Sequence, residues 1–122
     1  MAQPRKAIIL LAHGSRDPLW HRPLEAVATR LRARQPQVPV CCAYLELEQP
    51  DLAAAAAQLV HQRVAELVIV PMFLGTGKHA REDLPRMVEA LRQLHPAIAI
   101  TLRPPVGEDA RLLDLLATIA LE

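Results

Sequence analysis

Two imidazoles and a carboxylate stand in this chain where three apolar runs end. His13 follows Ala7-Ile8-Ile9-Leu10-Leu11-Ala12, Glu46 follows the run from Val38 to Leu45, and His79 comes after Leu67-Val68-Ile69-Val70-Pro71-Met72-Phe73-Leu74. Two histidines and one acid make a ligand set for a divalent transition metal, with coordination positions left open for water or a substrate atom. Imidazole also accepts protons near neutral pH. Metal handling coupled to proton transfer is the chemistry on offer, provided that the fold gathers the three.

The elements that must do this read as four strands alternating with four helices. Strands are expected at 6–12, 38–45, 67–73 and 97–102. Helices are expected at 18–34, 52–64 and 80–94, with a last one from about Asp109. Leu24, Val27, Ala28 and Leu31 repeat at helical spacing, as do Leu84, Val88, Leu91 and Leu94, which are expected to face inward. Asp51 is placed to cap the alanine-rich second helix, and Pro36 and Pro96 close the helices before them. Such alternation predicts an α/β three-layer sandwich of flavodoxin or Rossmann type, with a four-stranded parallel sheet and helices on both faces. Ligands of these sheets bind beyond the carboxyl ends of the strands, which is where His13, Glu46 and His79 fall.

Composition narrows the function further. At 122 residues and 52% hydrophobic the chain makes one domain, 1–122, with one modest core. Aromatic content of 2% leaves no stacking platform for single strands, and a net charge of +1 gives no basic footprint, so nucleic acid is excluded as a partner. The first apolar run is about half a membrane span and ends in His13-Gly14-Ser15-Arg16 rather than a cleavage site. A cytoplasmic protein without a membrane segment is expected. Cys41 and Cys42 are neighbours in a strand, so their side chains point to opposite faces and do not pair.

Three rival motifs fail. Phosphatases of the histidine type need arginine before the histidine, whereas Ala12 precedes His13, and there is no Gly-x-Ser-x-Gly elbow for a serine hydrolase. Gly75-Thr76-Gly77-Lys78-His79 looks like a phosphate loop, but Met72 and His79 occupy positions that the Walker pattern reserves for glycine and a hydroxyl residue. Its glycines serve instead to set His79 at a helix start, beside Lys78 and Arg81, whose charge suits an anionic ligand. Alternation puts Glu46 and Glu48 on one side of their segment and does not choose between them. His21, His61 and His95 lack a partner at ligand spacing and read as surface residues.

Three segments together resemble the CbiX/SirB group of class II tetrapyrrole chelatases: Ile8 to Arg16, Ala43 to Pro50, and Val70 to Pro85 with its Gly-Thr-Gly-Lys-His-Ala-Arg-Glu-Asp-Leu-Pro core. The resemblance spans nearly the whole chain. It implies insertion of cobalt or iron into sirohydrochlorin, on the routes to cobalamin and siroheme, with His13, Glu46 and His79 as metal-binding and catalytic residues. It also implies that Glu46 rather than Glu48 is the acid of the crevice. No tightly bound cofactor is expected, the metal being substrate: Co²⁺ or Fe²⁺, with Ni²⁺ as a further candidate. Arg16, Lys78 and Arg81 are expected to meet the macrocycle's carboxylates, and Phe73 and Leu74 its ring. Many relatives carry two such domains, so a single domain is expected to pair as a homodimer. The alternative from the same residues is a non-catalytic metal or tetrapyrrole carrier, or a structural homodimer with incidental histidines.

Overall fold

The computed structural model of the protein describes residues 5–122. The first four residues lie outside that range. The elements in order are β1 (Lys6–Ala12), a 3-10 turn (Pro18–His21), α1 (Arg22–Arg34), β2 (Val40–Tyr44), α2 (Leu52–Val60), β3 (Glu66–Pro71), α3 (Lys78–Leu94), β4 (Ala99–Leu102), a second 3-10 turn (Val106–Glu108) and α4 (Ala110–Leu121). The strands form one parallel sheet in the order β2-β1-β3-β4, so the two central strands are the ones that end at the histidine loops.

Period-two alternation divides the sheet into two faces. Ala7, Ile9 and Leu11 of β1, Leu67 and Ile69 of β3 and Ile100 of β4 pack with Leu52, Ala55, Ala56 and Leu59 of α2 and with Leu84, Val88 and Leu91 of α3. Small side chains at Ala55 and Ala56 let α2 lie close on the strands. On the other face Leu10 and Tyr44 meet Leu24 and Ala28 of α1, with Ile8, Ala12, Val27, Leu31, Val70 and Met72 partly buried around them.

Local chemistry fixes the ends. The Asp17 carboxylate accepts from the Leu19 N–H at 2.9 Å to start the first 3-10 turn, and Asp51 caps α2 by accepting from the Ala54 N–H at 2.8 Å. The helix expected to run to 64 stops at Val60, because Arg63 adopts a left-handed φ of 60° that ends helical hydrogen bonding. Two further expectations are corrected. Leu94, the last residue of α3, is 69% exposed rather than inward. His21 is buried rather than on the surface: the 3-10 turn bends its ring onto Tyr44 at 4.8 Å between centroids, with Nε2 3.2 Å from Glu48 Oε2.

Candidate metal-handling site

Parallel pairing carries the ends of β1, β2 and β3 to one edge, and backbone bonds extend the pairing into the loops. The Leu45 and Glu46 N–H groups donate to the Ala12 and His13 carbonyls, each at 2.9 Å, so His13 and Glu46 are held side by side. Gly14 makes this contact possible. Its φ is +104°, a region that L side chains avoid, and a Cβ there would collide with the Glu46 carbonyl. The segment then turns through Leu47, itself at a φ of 62°, before Asp51 rejoins the sheet beside Tyr44. Glu46 points into the cleft, whereas Glu48 turns back to His21. The two acids that alternation could not separate are thus separated by a non-glycine residue in a left-handed conformation between them.

His13, Glu46 and His79 line one cleft of about 370 Å³, together with Lys78, Asp83, Leu84 and Met87. The His13 ring stacks on Phe73, with centroids 4.3 Å apart and planes inclined by 25°. His79 is the second residue of α3, whose N-cap is Gly77 with no side-chain capping bond. The three residues share a cleft without closing into a ligand shell. Among the described residues, no three His, Cys, Asp or Glu side chains stand close enough to hold an ion.

The expected substrate contacts divide. Lys78 lines the cleft and Leu74 is exposed at its loop, whereas Arg81 lines a separate hollow with Thr76, Pro85 and Pro104. Arg16 is exposed on the loop after β1 and does not line the cleft. Phe73 is buried, and its ring supports His13 from below instead of facing the crevice. Asp83 is a cleft residue that the sequence reading missed, though its position four residues after His79 on one helix was the available signal. Burial pushes the Tyr44 hydroxyl up to about 12, with nearby Cys42, Glu25 and Glu48 adding to the rise, so this phenol stays protonated and takes no part as a base near neutral pH.

Residues 7–121 match the CbiX family. This chain belongs to the CbiX family. A sirohydrochlorin cobaltochelatase from Sulfolobus acidocaldarius is 28% identical over 109 residues, which cover 89% of this chain and 85% of that protein. The crystal structure of a CbiX protein from Marinobacter aquaeolei superposes with a TM-score of 0.82 at 34% identity, covering 94% of this chain and 93% of that one. The sirohydrochlorin chelatase SirB from Bacillus subtilis subspecies spizizenii, solved with cobalt, gives 0.78 at 26% identity over 93% of this chain. There the match spans 49% of the longer protein, so this CbiX chain corresponds to about half of SirB.

Proposed function

We propose that this CbiX chain inserts a divalent metal, Co²⁺ or Fe²⁺, into sirohydrochlorin. The observation that carries the reading is the single cleft lined by His13, Glu46 and His79 at the carboxyl edge of the sheet. Insertion exchanges two pyrrole N–H protons for one M²⁺, so the site must receive the ion, release it to ring nitrogen and take up two protons. Neutral imidazoles at His13 and His79 offer lone pairs for either task, and the Glu46 carboxylate offsets the ion's charge. An unclosed ligand set suits an ion that has to leave. A preassembled four-ligand cage would retain it.

The macrocycle's carboxylates meet Lys78 and the N-terminus of α3, where helix N–H groups and side-chain charge have one sign. Arg16 and Arg81, outside the cleft, serve carboxylates at the far rim, and Leu74 offers apolar contact. A broad, flat substrate needs a second wall, which a homodimer supplies from another copy. No helix among the described residues is long and apolar enough to cross a membrane, and Cys41 and Cys42 are free thiols. A reducing cytoplasmic setting fits both facts.

The test is anaerobic incubation of the protein with sirohydrochlorin and Co²⁺ or Fe²⁺, followed by absorbance of the metallated ring. Insertion above the spontaneous rate is expected with at least one metal. Binding of metal and tetrapyrrole without any acceleration would instead identify a carrier and overturn the enzymatic reading.

A further inference from the structure

Besides its histidines the chain has three aromatic residues. Tyr44 and Phe73 belong to the core, 4% and 3% exposed, whereas Trp20 is 60% exposed on the 3-10 turn between β1 and α1. A scattered exposed leucine is ordinary, but core packing gives no reason to leave the one tryptophan in water. Nor is its segment loose. The Ser15 hydroxyl accepts from the Asp17 N–H at 3.0 Å, the Asp17 carboxylate from the Leu19 N–H at 2.9 Å, and the Asp17 carbonyl from the Trp20 N–H at 3.0 Å. Pro18 and Pro23 stiffen the chain on either side. The next side chain, His21, is buried against Tyr44 with Nε2 3.2 Å from Glu48, which ties the turn to the segment that carries Glu46. The indole is held out in a set place and loses little freedom when something binds it.

Trp20 borders a hollow of about 300 Å³ with Ala12, Pro23, Leu24, Val27 and Met72. This hollow adjoins the metal-handling cleft across the strand ends. Ala12 precedes His13, Met72 precedes Phe73, and the Met72 N–H donates to the Leu11 carbonyl at 2.8 Å. Alternation along these two paired segments sends Ala12 and Met72 to the α1 face and the stacked rings of His13 and Phe73 to the other. His13 therefore stands on the wall between an apolar hollow and a polar cleft that holds Glu46, Lys78, His79 and Asp83.

Charge selects the occupant. Arg16 and Arg22, on either side of Trp20 along the chain, are exposed and form no ion pair among the described residues. A purely apolar segment of another chain would cover the indole and gain nothing from the two guanidinium groups. A flat conjugated ring with carboxylates round its rim uses both, ring against indole and carboxylate against guanidinium. We propose that Trp20 is the platform on which the tetrapyrrole ring lies, with Arg16 and Arg22 taking rim carboxylates on that side. The ring then crosses the end of β1, its apolar face over the indole and its central nitrogens toward His13. Arg16, outside the metal-handling cleft, is placed for this role. The proposal rests on the sirohydrochlorin reading for its ligand, but not on metal insertion.

The single tryptophan gives a single indole N–H signal in a proton–nitrogen correlation spectrum of the full chain. Titration with metal-free sirohydrochlorin should move that signal upfield, as the ring current of a macrocycle stacked on the indole requires. In parallel, affinity for the same metal-free tetrapyrrole is measured by equilibrium dialysis. Trp20→Ala should weaken it by about 5- to 100-fold, the range that loss of one aromatic stacking partner gives, while Trp20→Phe recovers most of the loss. Arg16→Gln with Arg22→Gln should weaken binding and flatten its dependence on salt. Circular dichroism of the variants should match the parent, because all three side chains are exposed. Tetrapyrrole binding with the indole signal unmoved, or Trp20→Ala binding as tightly as the parent, would overturn the platform and leave the chelatase reading in place. An indole signal that moves with protein concentration and not with tetrapyrrole would give the hollow to a second copy and overturn it too. A parent chain that binds no tetrapyrrole would overturn the sirohydrochlorin reading and the platform with it. All these outcomes are read without metal, so failure of the platform and failure of insertion are distinct.

Discussion

The two histidines of the cleft are seated in opposite ways. His13 ends a central strand, its carbonyl is bonded to the Glu46 N–H, its ring lies on Phe73, and the next residue is a glycine wedged against the Glu46 carbonyl. His79 follows Gly75 and Gly77, around whose Cα atoms there is open space, on a helix end with no capping side chain. One imidazole is built into the sheet edge and the other stands on the first turn of α3, after a loop whose glycines are uncrowded. On the proposed function, a site that receives an ion and then gives it up would gain from one fixed ligand and one that can approach and withdraw.

The largest effect we expect comes from His13→Ala and His79→Ala, each removing most insertion, on the order of 10²–10⁴-fold. Both side chains are exposed, so circular dichroism and the unfolding midpoint should stay near those of the parent. The seats are told apart by aspartate. His79→Asp should keep more rate than His13→Asp, because the glycine loop can bring a shorter ligand forward and the strand end cannot. Equal rates in the two aspartate variants would remove the distinction between fixed and movable ligands.

Next comes Gly14→Ala. A φ of +104° and the blocked approach to Glu46 together should destabilise the fold by about 3 kcal/mol, and the surviving protein should have lost the alignment of His13 with Glu46. Chemical denaturation and the insertion rate measure the two losses. A neutral Gly14→Ala variant would mean that the loop has another packing open to it.

Phe73→Leu probes the stacking under His13. The substitution keeps an apolar residue in the core but gives up a ring contact worth about 0.5–1.5 kcal/mol. We expect a modest stability loss and a several-fold drop in insertion at saturating tetrapyrrole, with the apparent affinity for tetrapyrrole little changed, because the buried ring positions a ligand and does not touch the macrocycle. A change confined to tetrapyrrole affinity would restore Phe73 to the substrate surface.

How much of this could be read in advance follows from where the information lies along the chain. The strands, the helix caps at Asp51 and the carboxyl-edge placement of His13, Glu46 and His79 are local signals: alternation, a cap residue, an apolar run that stops. The support of His13 by Phe73 was half legible, since alternation places Phe73 on the same face as Leu67, Ile69 and Pro71 and so against the core. The burial of His21 was not legible, because its partner Glu48 is 27 residues away and reaches it only through the turn at Leu47. Nor was the outward course of α4, whose apolar pattern reads the same whether the helix covers its own sheet or another. Periodicity reports that a face is to be buried and is silent on what buries it.

The smallest effect is expected at the glycines before His79, and its sign is the informative part. Gly77 has φ −66° and ψ 162°, which alanine adopts without strain, Gly75 is outside the left-handed region, and a Cβ at either meets no atom within 4 Å. Replacing Gly75 by alanine should therefore stabilise the fold by about 0.4–1 kcal/mol through the lost freedom of the unfolded chain, whereas at Gly77, the N-cap of α3, alanine is the poorer cap and that loss opposes the gain. The same stiffening acts on the loop that brings His79 to the ion. If that approach is used in every cycle, Gly75→Ala should raise the unfolding midpoint while lowering the insertion rate about two- to fivefold, an opposition of stability and turnover that no change at the His13 seat should produce. A variant that is more stable and equally fast would show that His79 works from a fixed position, and would leave the two imidazoles different in construction but alike in use.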